Sequence, residues 1–74
     1  MCLYDLNIGD IAYVKKIVGS NDIIVRLYDL GLTEGTRIKL ILKGKKIRAY
    51  SFRNTLIAIR DKDASNILIG DIDD

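Results

Sequence analysis

The sequence predicts a small, mainly β domain: a strongly bent antiparallel barrel of about five short strands, with one short helix between the first two strands. Three observations carry this expectation. The 74 residues include no proline, and the 49% that are apolar are dominated by Ile, Leu and Val, which favour strands. Apolar and polar residues alternate in short runs, and glycine, asparagine or serine separates them. Ile23 to Leu30 carries apolar residues at helical spacing over two turns, three and four apart. Closing so small a sheet would shield its edges from other chains.

Each element has its own signal. Leu3 and Leu6 are one helical turn apart and predict a lead-in turn that plugs one end of the fold; Asn7-Ile8-Gly9-Asp10 follows as a turn. Ile11 to Val18 reads as the first strand, with a bulge where Lys15-Lys16 breaks the alternation. Gly19-Ser20-Asn21-Asp22 ends it and offers helix caps. The helix runs from about Asp22 to Leu30 with Ile23, Leu27 and Leu30 as its core face. Gly31 stands where a helix C-terminus takes a left-handed residue, and Leu32 where an apolar side chain folds back onto the last turn. After the turn Thr33-Glu34-Gly35, Thr36 to Lys43 is a strand with Ile38, Leu40 and Leu42 inward and Arg37, Lys39 and Ile41 outward.

Lys43-Gly44-Lys45-Lys46 reads as a hairpin loop in which glycine supplies a positive φ. Ile47 to Arg53 is the third strand; placing Tyr50 and Phe52 on its inner face leaves Ile47 out of register. Arg53-Asn54-Thr55 is a tight turn, with Asn54 suited to the left-handed region. Leu56 to Arg60 is the fourth strand, Asp61 caps a short turn through Asn66, and Ile67-Leu68-Ile69 is the fifth. Residues 1–74 are expected to form one domain with a frayed acidic end at residues 71–74.

Composition narrows the chemistry. With no histidine, the usual general base near neutral pH is missing. Cys2 has no histidine to activate it, cannot form an internal disulfide, and fits a reducing compartment. There is no phosphate loop of the form G-x-x-x-x-G-K-[ST]. One cysteine cannot build a soft metal site, and Asp71, Asp73 and Asp74 would make only a weak oxygen site. No apolar run approaches the ~20 residues of a membrane span, and no secretory signal is visible. The expectation is a cytoplasmic, non-enzymatic protein without cofactor or metal.

Binding is the remaining class. From Thr36 to Ile59 there are seven basic residues and no acid. Lys43, Lys45, Lys46 and Arg48 form a candidate basic surface, which attracts nucleic acid or an acidic protein unless it is simply the solvent side of the strands. Tyr50, between Arg48 and Arg53, is either a base-stacking residue or a core tyrosine. On the helix, Ile24, Val25 and Tyr28 lie beside or behind the core stripe. They belong either to a deeply buried helix or to an exposed apolar patch for a partner. Arg26 and Glu34 would give that patch a polar rim.

The stretch Arg26-Leu27-Tyr28-Asp29-Leu30-Gly31-Leu32-Thr33-Glu34-Gly35 resembles the signature R-L-x-D-L-G-L-x-x-G of the FeoA family, small cytoplasmic proteins linked to bacterial ferrous iron uptake. Arg26, Leu27, Asp29, Leu30, Gly31, Leu32 and Gly35 stand in that pattern, and the likeness runs from about Leu3 to Ile69. The chain departs from the family at Asn54, where glycine is usual, and at Ile24 and Val25, where polar residues are frequent. The resemblance implies an SH3-like barrel and docking to the cytoplasmic domain of FeoB, the ferrous iron transporter with a GTP-binding domain. The membrane would be met only through that partner. Within this reading the partner-binding residues are Ile24, Val25, Tyr28 and Glu34. Similar domains end the DtxR-type iron-dependent repressors. A peptide-binding relative of those, or a nucleic-acid-binding barrel, is therefore the alternative.

Overall fold

The computed structural model describes residues 1–70. A 3₁₀ turn at Leu3–Asp5 precedes β1 (Ile11–Ile17), α1 (Asn21–Asp29), β2 (Arg37–Lys43), β3 (Ile47–Phe52), β4 (Thr55–Arg60), α2 (Asp61–Ala64) and β5 (Ile67–Ile69). The five strands make one antiparallel sheet in the order β4-β3-β2-β1-β5. This is the mainly β architecture that the alternation predicts, with α1 between the first two strands. The expectations for Asp71, Asp73 and Asp74 fall outside the described residues.

Two register shifts bend the sheet. One lies between Val14 and Lys16 in β1, where the paired lysines interrupt the pattern. The other lies between Leu40 and Leu42 in β2 and corrects the reading of Leu42. An inserted residue reverses the alternation beyond it. Leu42 therefore pairs with Ala49, on the face opposite Tyr50, and is 59% exposed instead of buried.

The helix stop is built as its residues dictate. Gly31 has φ +94° and donates to the Tyr28 carbonyl at 2.9 Å, while Leu32 donates to the Leu27 carbonyl at 2.9 Å. This pair of bonds is the Schellman motif, and its apolar contact is supplied by Leu32 and Leu27, both buried. Leu30 is the capping residue and is 50% exposed, which corrects its assignment to the core face. Leu30 and Ile24 flank Leu27 by about 60° on opposite sides of the helix at 100° per residue. Ile23 and Ile24 pack against the core near the start of the helix, whereas Leu30, at its C-terminal end, stays half in solvent.

A Cβ at Gly31 would find only ordinary contacts, so the demand for glycine comes from φ. Gly31→Val is expected to cost at least ~1 kcal/mol, because a β-branched residue is strained there. Asn54→Gly, in a turn where Arg53 and Asn54 both have positive φ, is expected to be nearly neutral. Urea unfolding midpoints check both; equal, negligible shifts would contradict the turn geometry. In the β2–β3 loop the positive φ falls on Lys46, not on Gly44. Gly44 is required for a different reason: a Cβ there would come within 2.9 Å of the Ile47 carbonyl oxygen.

The lead-in turn is held by β3. Tyr50, fully buried, donates its hydroxyl to the Leu3 carbonyl at 3.1 Å. Arg48 donates to the Tyr4 carbonyl at 3.0 Å, sits 4.2 Å over the Tyr4 ring, and pairs with Asp61 at 3.2 Å. Two expectations are corrected by this cluster. Arg48 is not part of an open basic surface, since its side chain is only 11% exposed. Asp61 does not cap a helix: it is the first residue of α2 and its carboxylate is taken by Arg48.

Candidate interaction surface

The outer side of α1 is apolar and open. Val25 is 56% exposed and Tyr28 39%. Ile24, expected to join them, is half-buried against the core and adds little area. The Tyr28 hydroxyl donates to Glu34 Oε1 at 2.8 Å, tying the helix to the turn before β2. That bond holds the Glu34 carboxyl below its usual range and raises the Tyr28 phenol. The link therefore contributes stability above the ordinary carboxylate range and loses it as pH falls through the lowered Glu34 value. Tyr28 and Glu34 are thus brought together by geometry that their spacing in the chain does not announce.

On the other flank of α1 a groove of about 430 Å³ runs between the helix and β4. Ile23, Leu27 and Leu30 line one wall, and Ile57, Ile59 and Ile47 the other. Arg26, in solvent on α1, and Arg60, at the end of β4, stand at its rim. Asp63 also lines it, with Oδ2 3.6 Å from the Arg60 Nε and with Oδ1 buried without a hydrogen-bond partner. Sequence reasoning missed this groove. Its one visible signal was Ile47, an isoleucine with no place on the inner face of β3.

The basic residues separate into two groups. Lys43, at the end of β2, and Lys45 and Lys46, on the β2–β3 loop, are exposed, and Lys43 Nζ reaches Asn7 Oδ1 at 3.4 Å. Arg37, Lys39 and Arg53 line a second concavity with Thr36 and Ser51 and without an acid. Tyr50 is a core residue and presents no ring to a base. No group of three or more His, Cys, Asp or Glu side chains among the described residues is placed to hold a metal ion. No helix among them is long and apolar enough to cross a membrane.

The fold as a whole recurs in known proteins. The model of the FeoA domain matches residues 1–70. The chain belongs to the FeoA family. Among solved structures, the FeoA protein from Chlorobium tepidum is 28% identical, with a TM-score of 0.86 over 93% of this chain and 68% of that one. Stenotrophomonas maltophilia FeoA, solved with zinc, is 25% identical, with a TM-score of 0.81 over 95% of this chain and 89% of that one. It is described as a prokaryotic SH3 domain protein suggested to act as a ferrous iron transport activating factor. A manganese-dependent transcriptional repressor shares the fold, with a TM-score of 0.86 over 93% of this chain and 40% of that one at 12% identity. No curated protein matches this chain significantly. As a FeoA-family member with an SH3-like fold, the protein is associated with ferrous iron transport.

Proposed function

We propose that this FeoA-family protein is a non-enzymatic cytoplasmic accessory of ferrous iron uptake that docks onto the cytoplasmic domain of FeoB and regulates the transporter. The observation that carries this reading is the open flank of α1. Val25 and Tyr28 leave large apolar side chains in solvent there, at the start of the segment that holds the family signature. Apolar area of this kind forms the centre of protein interfaces, and Arg26 and Glu34 supply the polar rim. The chain's chemistry supports binding over turnover, since it has no histidine and a single cysteine. The basic loop at Lys45 and Lys46 adds electrostatic steering to the encounter, with little specificity.

The experiment is titration of folded variants against the isolated cytoplasmic domain of FeoB. Val25→Asp combined with Tyr28→Ala is expected to abolish binding and leave the fold intact. Lys45→Ala combined with Lys46→Ala is expected to slow association and flatten its salt dependence. Loss of binding in the lysine pair with full binding in the helix pair would move the interface to the basic loop and overturn the assignment.

A further inference from the structure

The sheet has two edges, and they are treated differently. On the β5 side, Cys2 bridges Leu68 and Ile69 donates to the Met1 carbonyl at 3.0 Å, so the N-terminal segment covers that edge. β4, at the other end, pairs with β3 alone. The β3–β4 hairpin has a two-residue loop, Arg53-Asn54, which sets which groups face which way. Antiparallel pairs alternate between hydrogen-bonded and non-bonded positions. Phe52 with Thr55 closes the hairpin as a bonded pair, and Asp61 donates to the Lys46 carbonyl at 3.0 Å in the same phase. The intervening bonded residues of β4 are thus Ile57 and Ile59. Leu56 and Ala58 point N–H and C=O away from β3, and Arg60 points its N–H there. No partner strand stands on that side among the described residues.

The groove beside α1 lies along this same edge. Four consecutive residues, Ile57, Ala58, Ile59 and Arg60, line it. Successive strand residues face opposite sides of a sheet, so a groove touching all four must reach around the strand edge. It therefore offers unpaired backbone groups, apolar walls from α1 and β4, and one further acceptor. Asp63 Oδ1 is without a partner in a residue only 9% exposed. At the rim, Arg26 has no carboxylate partner among the described residues, and Arg60 reaches only Asp63, at 3.6 Å.

We propose that the free edge of β4, together with the α1 groove, binds an extended peptide segment by strand addition. The segment presents alternating apolar side chains to Leu30, Ile57 and Ile59, and a carboxylate to Arg26. Main-chain bonds to Leu56, Ala58 and Arg60 give affinity, and the groove reads the alternate side chains. Because α1 walls the groove, the fitting occupant is a strand with free flanks and not the sheet edge of a second folded copy. This deepens the docking reading and rests on it only for the protein that supplies the segment.

The test uses a synthetic eight-residue peptide of alternating valine and threonine with a terminal glutamate, titrated into isotopically labelled protein. Amide exchange at Leu56, Ala58 and Arg60 is expected to slow, and their resonances to move. Ala58→Pro removes the outward N–H while keeping the ladder to β3, a position where an edge strand tolerates proline. It is expected to weaken the peptide about fivefold or more, the equivalent of one lost hydrogen bond, with the remaining amide spectrum preserved. A peptide N-methylated at the facing amides should not bind. Resonance changes confined to Arg37, Lys39 and Arg53, unchanged β4 amides, or dimerisation through β4 in the absence of peptide would each overturn the proposal. Val25→Asp with Tyr28→Ala leaves the β4 edge untouched, so strand addition and helix docking fail separately.

Discussion

Leu32→Ala is expected to lower the unfolding free energy by about 2–5 kcal/mol, the range for deleting a well-packed leucine from a core. Leu32 is fully buried, and its N–H closes the Schellman motif against the Leu27 carbonyl at 2.9 Å. Its side chain therefore plugs the point where α1, the following turn and the sheet meet. The surrounding backbone is fixed by that hydrogen bond and by Gly31, so it has little freedom to collapse into the cavity. A domain of this length has roughly 4–11 kcal/mol in total at typical per-residue stability. The variant should thus be largely unfolded at moderate urea. Leu30→Ala is the companion measurement. Leu30 is half in solvent, and its loss should lie near the ±0.5 kcal/mol usual for surface changes. If the two leucines cost the same in urea melts, the helix is rotated from the orientation described.

Tyr50→Phe is expected to cost about 0.5–1.5 kcal/mol, the net worth of one hydrogen bond, because the Leu3 carbonyl loses the Tyr50 hydroxyl and keeps only the Leu6 N–H at 3.2 Å. The shape of the core is otherwise unchanged, which separates this from a cavity effect. The same residue gives the protein a distinct alkaline limit. Burial pushes the Tyr50 phenol from its usual value near 10 up to about 12. Between those values the unfolded chain releases a proton that the folded protein retains. Stability is therefore fully present below pH 10 and falls as pH rises toward 12. The difference between wild-type and Tyr50→Phe stabilities should narrow across that window. Parallel profiles in denaturant melts from pH 8 to about 12 would show that Tyr50 is not the group responsible.

The partner surface illustrates how far side-chain pattern carries. Val25 and Tyr28 were legible as apolar residues off the core stripe of the helix, but their exposure was open between two readings. Ile24 lies about 60° from Leu27, nearer than either, and ends half-buried, while Leu30, equally far on the other side, stays half in solvent. Periodicity assigns a stripe to within about one residue's rotation and cannot say how the helix is set on the sheet. Arg48 shows the same limit for charge. Its place in a basic run is identical in kind to those of Lys45 and Lys46, yet an acceptor from the lead-in turn and a carboxylate from α2 converge on it alone.

What the sequence by itself determined is everything that depends on neighbours along the chain. The helix stop at Gly31 and Leu32, the left-handed Asn54, the bulge at Lys15-Lys16, the order of elements and the family signature are all of that kind, because each follows from a few consecutive residues and their backbone preferences. Only the tertiary structure decided which residues from distant elements meet. It set the register shift that expels Leu42, the enclosure of Arg48 by Tyr4 and Asp61, the groove between α1 and β4, and the edge of the sheet at β4, which no strand among the described residues covers. These depend on how strongly the sheet bends and where the helix rests on it. Those quantities arise from packing the whole core at once, so no local pattern of residues encodes them.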